Sequence, residues 1–240
     1  MQFILLFFAF SLGFETYSKP LLSSSELKEP ILKQLGLTEK ELMEEFWTEK
    51  ALPYAPAQTV VVVPKLIYKD EGMFTLDAII VVVNSQTGKI IQQFQEGNTV
   101  LSDAVYISSF TIDTAPYMLT KEIRAFAIRA NYYGRSNANP YSEVQLSLFI
   151  QEGAILRRVL KDYVVESSAG EWNMECEGRF EDLKAILLFE TEKTKDYFNL
   201  VIKERSSVRT TEKIKGECEE KIVKNPEKKR VLHYNGKSYQ

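Results

Sequence analysis

From residue 59 onward the chain is a succession of short apolar segments separated by turn residues. Residues 60–63 are all valine, and Pro64 follows. Proline cannot donate to a ladder, so this predicts an edge strand or a strand end. Residues 74–83 form a longer apolar run interrupted only by Thr75 and Asp77. The run stops at Asn84-Ser85-Gln86-Thr87-Gly88 and resumes over 89–94, the pattern of strand, turn and strand. Segments 107–112, 123–130, 144–150, 159–165, 183–189 and 198–203 repeat this texture. Residues 231–239 close the chain as a hairpin whose Asn235-Gly236 suits a type I′ turn. About nine or ten short, regularly spaced strands predict a mainly β, antiparallel sandwich or barrel-like sheet. No repeat period supports a propeller.

Ahead of the β region lie two helical patterns. Pro30 suits a first helical position, Ile31, Leu32 and Leu35 follow, and Gly36 is a natural stop. Thr38-Glu39-Lys40-Glu41 reads as a capping box, with Leu37 and Leu42 placed as a hydrophobic staple. Leu42, Met43, Phe46 and Trp47 then form one apolar stripe, predicting a helix over 39–50 that packs on the body of the protein. The two prolines at 53 and 56 mark a linker. At the N-terminus, residues 3–14 are uncharged and apolar. A run of that length suits the h-region of a secretory signal peptide better than a transmembrane helix, which needs about 20 apolar residues. The expected organisation is a signal peptide over 1–18, a helical segment with a proline-containing linker over 19–57, and a β-rich domain over 58–240. No later segment is long enough to span a membrane as a helix.

Composition narrows the chemistry. The chain of 240 residues is 45% hydrophobic and 26% charged, within the range of ordinary globular proteins. A net charge of −3 argues against nucleic acid as the main partner. One histidine and two cysteines are too few for a structural zinc module. Cys176 and Cys218 belong to no C-x-x-C motif, and in an oxidising compartment they pair as one disulfide. That pairing and the signal peptide point to the same place, the periplasm or the secreted fraction. His233 lacks the context of a nucleophilic triad, and its neighbours Leu232 and Tyr234 suit a structural position. Residues 194–199 lack the acidic density of a calcium loop. No motif calls for a cofactor, and no catalytic residue can be assigned.

Two connections carry residue types suited to recognition. The stretch 131–141 holds Tyr132, Tyr133, Arg135, Asn137, Asn139 and Tyr141. These types supply contact area and adaptable hydrogen bonds at interfaces. The alternative is a hairpin whose tyrosines fold back on the sheet. The second connection, residues 167–172, ends in Trp172, four residues before Cys176, where packing on the disulfide is the simpler account.

One resemblance covers residues 59–239. N-P-Y-S-x-x-x-L-S-L-F (139–149) is followed by L-R-R-V-L (156–160), G-E-W (170–172), C-x-G-x-F (176–180) and L-x-Y-x-G-K-x-Y (232–239). This order resembles a family of uncharacterised exported proteins of Gram-negative bacteria. The family carries Gly and Asp at the positions of Asp196 and Asn199. The resemblance implies export and a β-rich fold, and it implies no mechanism. The leading expectation is a non-catalytic binding or interaction module with an envelope or secreted protein as partner. The rivals are a carboxylate-based hydrolase of envelope glycan, and a structural envelope component that docks through the 42–47 stripe.

Overall fold

The computed structural model describes residues 21–97, 100–102 and 104–240, so the segment expected to be a signal peptide lies outside the described residues. Among the described residues thirteen strands form two open antiparallel sheets. The first sheet runs β1 (Thr48–Leu52), β2 (Ala55–Asp70), β3 (Met73–Asn84) and β4 (Ile90–Phe94), with β5 (Val100–Ser102) also paired to β3. The second runs β6 (Val105–Met118), β7 (Arg124–Gly134), β8 (Tyr141–Glu152), β9 (Ile155–Trp172), β10 (Gly178–Thr194), β11 (Tyr197–Ile214) and β12 (Glu217–Lys224), with β13 (Lys228–Leu232) also on β11. The fold is the expected mainly β antiparallel sandwich, and it does not close into a barrel.

The unbroken apolar runs of β2 and β3 follow from burial on both faces of the first sheet. Val60, Val62, Leu76, Ala78, Ile80 and Val82 face the second sheet and meet Phe110, Phe126, Ile128 and Phe149. Val61, Val63, Ile79, Val81 and Val83 face the other way, under helix α1 (Ser24–Leu35). Each fully buried side chain of this size stabilises by roughly 1.5–3 kcal/mol, an amount comparable to the cost of ordering its residue. Helix α1 is docked through the turn between β3 and β4. The Gln34 side-chain amide donates to the Gly88 carbonyl at 2.9 Å, and its oxygen accepts from the Ile90 amide at 2.9 Å. The Asn84 side chain closes that turn by accepting from the Gln86 amide at 2.9 Å.

A third core lies within the second sheet. β10 pairs with β9 only from Gly178–Trp172 to Lys184–Glu166 and then parts from it. The remainder of β10, with β11 and the C-terminal residues, packs Leu187, Leu200, Ile202, Tyr234 and Tyr239 on Leu146, Leu148, Val159 and Leu160. The Tyr239 hydroxyl donates to the Phe198 carbonyl at 2.8 Å, and its amide donates to Val159 at 2.7 Å. The other half of these strands extends past all three cores. β10 contains no buried residue, and every residue of β12 is exposed.

The structure corrects four local expectations. The helix expected over 39–50 is two short 3₁₀ turns, Glu39–Glu41 and Glu44–Phe46, and β1 begins at Thr48. Leu42 is extended and bridges Lys65, which splits the apolar stripe. Met43 and Phe46 enter the core between the sheets, while Leu42 and Trp47 pack on the helix side. Helix α1 starts at Ser24, not Pro30, because Glu26 accepts from the Ser23 amide at 2.8 Å and hydroxyl at 2.6 Å and fixes the first turn. Pro64 lies inside a central strand. It is tolerated because the β1 ladder starts only at Thr48, opposite Val62, and does not reach Pro64, which only accepts there, from the Met43 amide at 3.0 Å. In the C-terminal turn only Gly236 takes a positive φ. Asn235 acts through its side chain, accepting from the Lys237 and Ser238 amides at 2.8 and 2.9 Å, so the turn is not type I′.

Candidate binding groove at the distal end of the second sheet

Beyond the third core, cross-strand register lines up side chains from four strands in one row. Gly170 pairs with Phe180, Phe180 with Arg209, and Arg209 with Ile222. Paired residues in an antiparallel sheet share a face. The Phe180 ring lies across the two glycines beside it: a Cβ on Gly170 would fall 2.3 Å from Phe180 Cδ1, and one on Gly178 would fall 2.9 Å from Cε2. The Arg209 guanidinium stacks on the ring, 4.1 Å from its centre, and pairs with Glu220 at 3.5 Å. The glycines of G-E-W and C-x-G-x-F are therefore the floor on which one aromatic ring rests.

Loop 135–140 and turn 173–177 wall this surface. The Pro140 and Ala138 carbonyls accept from the Gly170 and Trp172 amides at 3.0 and 2.7 Å, which fastens the loop along the end of β9. Asn173 organises the turn by accepting from the amides of Glu175, Cys176 and Glu177 at 2.9, 3.0 and 3.0 Å. The Cys176–Cys218 disulfide, with Cα atoms 5.6 Å apart, ties the turn to β12. Together they enclose an open groove of about 900 Å³, lined among others by Tyr133, Tyr141, Trp172, Met174, Phe180 and Arg209. Tyr133 is 49% and Met174 58% exposed, large values for apolar contact residues. The Thr211 hydroxyl at the groove is buried without a hydrogen-bond partner.

The six candidates in stretch 131–141 divide between this groove and other surroundings. Residues 131–134 belong to β7, so the true loop is shorter, 135–140. Tyr133, Asn137 and Tyr141 line the groove. The Tyr141 hydroxyl donates to Glu143 at 2.7 Å; burial and this bond push its pKa up to about 12. Tyr132 turns instead toward the core between the sheets, where burial, with the Asp162 and Glu143 charges behind it, also raises it to about 12. Arg135 stacks over Tyr106 at 5.4 Å, and its amide donates to Ala104 at 3.2 Å. Asn139 is exposed and its amide donates to the Ser136 hydroxyl at 3.0 Å. Sequence reasoning missed Met174, Phe180, Arg209 and Thr211, and it gave Trp172 a purely structural role. Only the register of β9, β10 and β11 brings these residues together.

His233 Nδ1 lies 3.2 Å from both Thr194 Oγ1 and Asn199 Oδ1, neither of them a carboxylate. A smaller cavity of about 230 Å³ between the sheets has Glu96, Arg158 and Asp162 among its lining residues. Burial alone would raise the Glu96 carboxyl, but hydrogen bonds from Arg158 and Lys161, and their charges, hold it below its usual range. A carboxyl held that way is a poor proton donor near neutral pH. Among the described residues, no three or more His, Cys, Asp and Glu side chains converge as a metal site, and no helix is long and apolar enough to cross a membrane. Comparison of the chain with family models, curated proteins and solved structures yields no match.

Proposed function

We propose that the protein is an exported, non-catalytic binding module, and that the distal groove is its contact surface for an envelope or secreted protein. The observation that carries this reading is the convergence of Tyr133, Trp172, Met174 and Phe180 with the Arg209 guanidinium on one open surface. Tyr, Trp and Arg dominate the energetics of protein interfaces. The disulfide supports an oxidising compartment. The 42–47 stripe is largely buried, which removes the main support for docking through it. The test is crosslinked capture from an envelope extract with the oxidised protein. A discrete partner is expected to be retained by Arg135→Ala, whose side chain lies outside the groove, and lost with Tyr133→Ala and Trp172→Ala. Equal capture by all three variants would reject the groove. Turnover of an envelope glycan by the purified protein would instead favour the hydrolase.

A further inference from the structure

We infer that β12 is a self-association edge, on which two copies of this chain pair antiparallel about a two-fold axis through Ile222. Among the described residues β12 bonds only to β11, which leaves its other edge open, and all eight of its residues are exposed. Ile222 and Val223 are 54% and 51% exposed, an adjacent β-branched pair on opposite faces of an edge strand. Open edges of this kind template further pairing unless something blunts them. β12 is itself charged at Glu217, Glu219, Glu220, Lys221 and Lys224, so pairing there needs a register in which unlike charges meet, whereas the other described edges are irregular, short or basic. β6 carries two register shifts and Pro116, β13 opens with Lys228, Lys229 and Arg230, and β1 and β4 are only five residues long.

Symmetry and charge select the occupant and the register. A two-fold axis perpendicular to a sheet keeps each residue on its own face, and directly opposed residues must share a face. The pairing must therefore centre on a residue facing its own copy. Centring on Glu219, Glu220 or Lys221 opposes like charges at the axis, and centring on Val223 opposes no unlike charges. Centring on Ile222 places Ile222 against itself and Glu220 against Lys224 of the second copy, twice. On the other face it places the Lys221 stem against Val223. This register opposes no like charges. Ile222 shares its row with Arg209 and Phe180, so the two grooves would open on the same face of one continuous sheet. A five-residue ladder is small, so the dimer is a weak one, below the roughly 1,000 Å² typical of stable interfaces.

The self-association stands on the edge alone and does not depend on the groove reading. Sedimentation equilibrium of the oxidised protein over a concentration series is expected to show reversible dimerisation. Glu220→Lys turns both cross-strand charge pairs repulsive and is expected to weaken the dimer by about tenfold, and the double variant E220K/K224E restores it by swapping the pair. Circular dichroism and intact mass check that each variant is folded and oxidised. A protein that stays monomeric at its highest attainable concentration would overturn the inference. So would a dimer that ignores Glu220→Lys, or one that the double swap does not restore.

Discussion

Gly170→Ala tests whether the groove floor is built as described. Gly170 lies in a strand at a backbone conformation alanine can adopt, so any cost comes from contact and not from φ. The new Cβ would sit 2.3 Å from Phe180 Cδ1, 2.9 Å from Cε1 and 3.0 Å from the Arg179 carbonyl oxygen. The ring must leave its place, and Arg209 loses the face it stacks on. Overpacking of this kind costs about 1–3 kcal/mol, and for a domain of this size each kcal/mol lowers Tm by roughly 2–4 °C. The decisive measurement is a double-mutant cycle by thermal or urea denaturation. Phe180→Ala removes the ring and with it the main clash, leaving only the tight Arg179 carbonyl. Gly170→Ala should then cost at least about 1 kcal/mol less in the Phe180→Ala background than in the native protein. An identical cost in both backgrounds would refute the packing of Phe180 on Gly170, and with it the geometry assigned to the groove.

Two further outcomes follow from the charges and the disulfide. Burial would raise the Asp113 carboxyl, but the Ala115 amide, the Tyr117 hydroxyl and the Arg129 guanidinium outweigh it and hold its pKa below the ordinary 3.8. Its stabilisation is therefore complete above that value and is lost as pH falls through the folded-state value; urea denaturation from pH 6 down to pH 2 should show this, with a shallower fall for Asp113→Asn. Reducing Cys176–Cys218, which closes a separation of 42 residues, is worth up to roughly 4 kcal/mol on the chain-entropy model. Because β12 has no buried residue, the loss should appear first as faster hydrogen exchange over 173–177 and 217–224, with the three cores still protected.

The parts of the fold legible in the sequence were those with a burial pattern. Residues 74–83 announced a strand because both faces are covered, and Asn84 to Gly88 announced its turn through side-chain and glycine chemistry. The outer halves of β9, β10 and β11 and the whole of β12 were invisible for the converse reason. With neither face buried, alternation carries no apolar signal, and no strand was assigned over 205–214 or 217–224. The Leu42–Trp47 stripe misled because a helical spacing of apolar residues can also be met by a chain that wraps a sheet edge and sends neighbours to opposite faces. Half of the candidate stretch was legible, since Tyr133, Asn137 and Tyr141 all contribute to the groove lining. Phe180 and Arg209 could be added only once strand register was known.

The order of the strands has a consequence for how the chain acquires its structure. In the first sheet β1 to β4 are neighbours in sequence, and in the second β6 to β12 are too. Nearly every ladder is thus a hairpin whose closure spans only a short stretch of chain. The entropic cost of closing loops grows with their length, and sheets of mostly local pairs fold faster than sheets that interleave distant segments. Each sheet can zip from its first hairpin as the polypeptide emerges, N-terminal end first. What remains non-local is the packing of one sheet on the other through Phe110, Phe126 and Phe149.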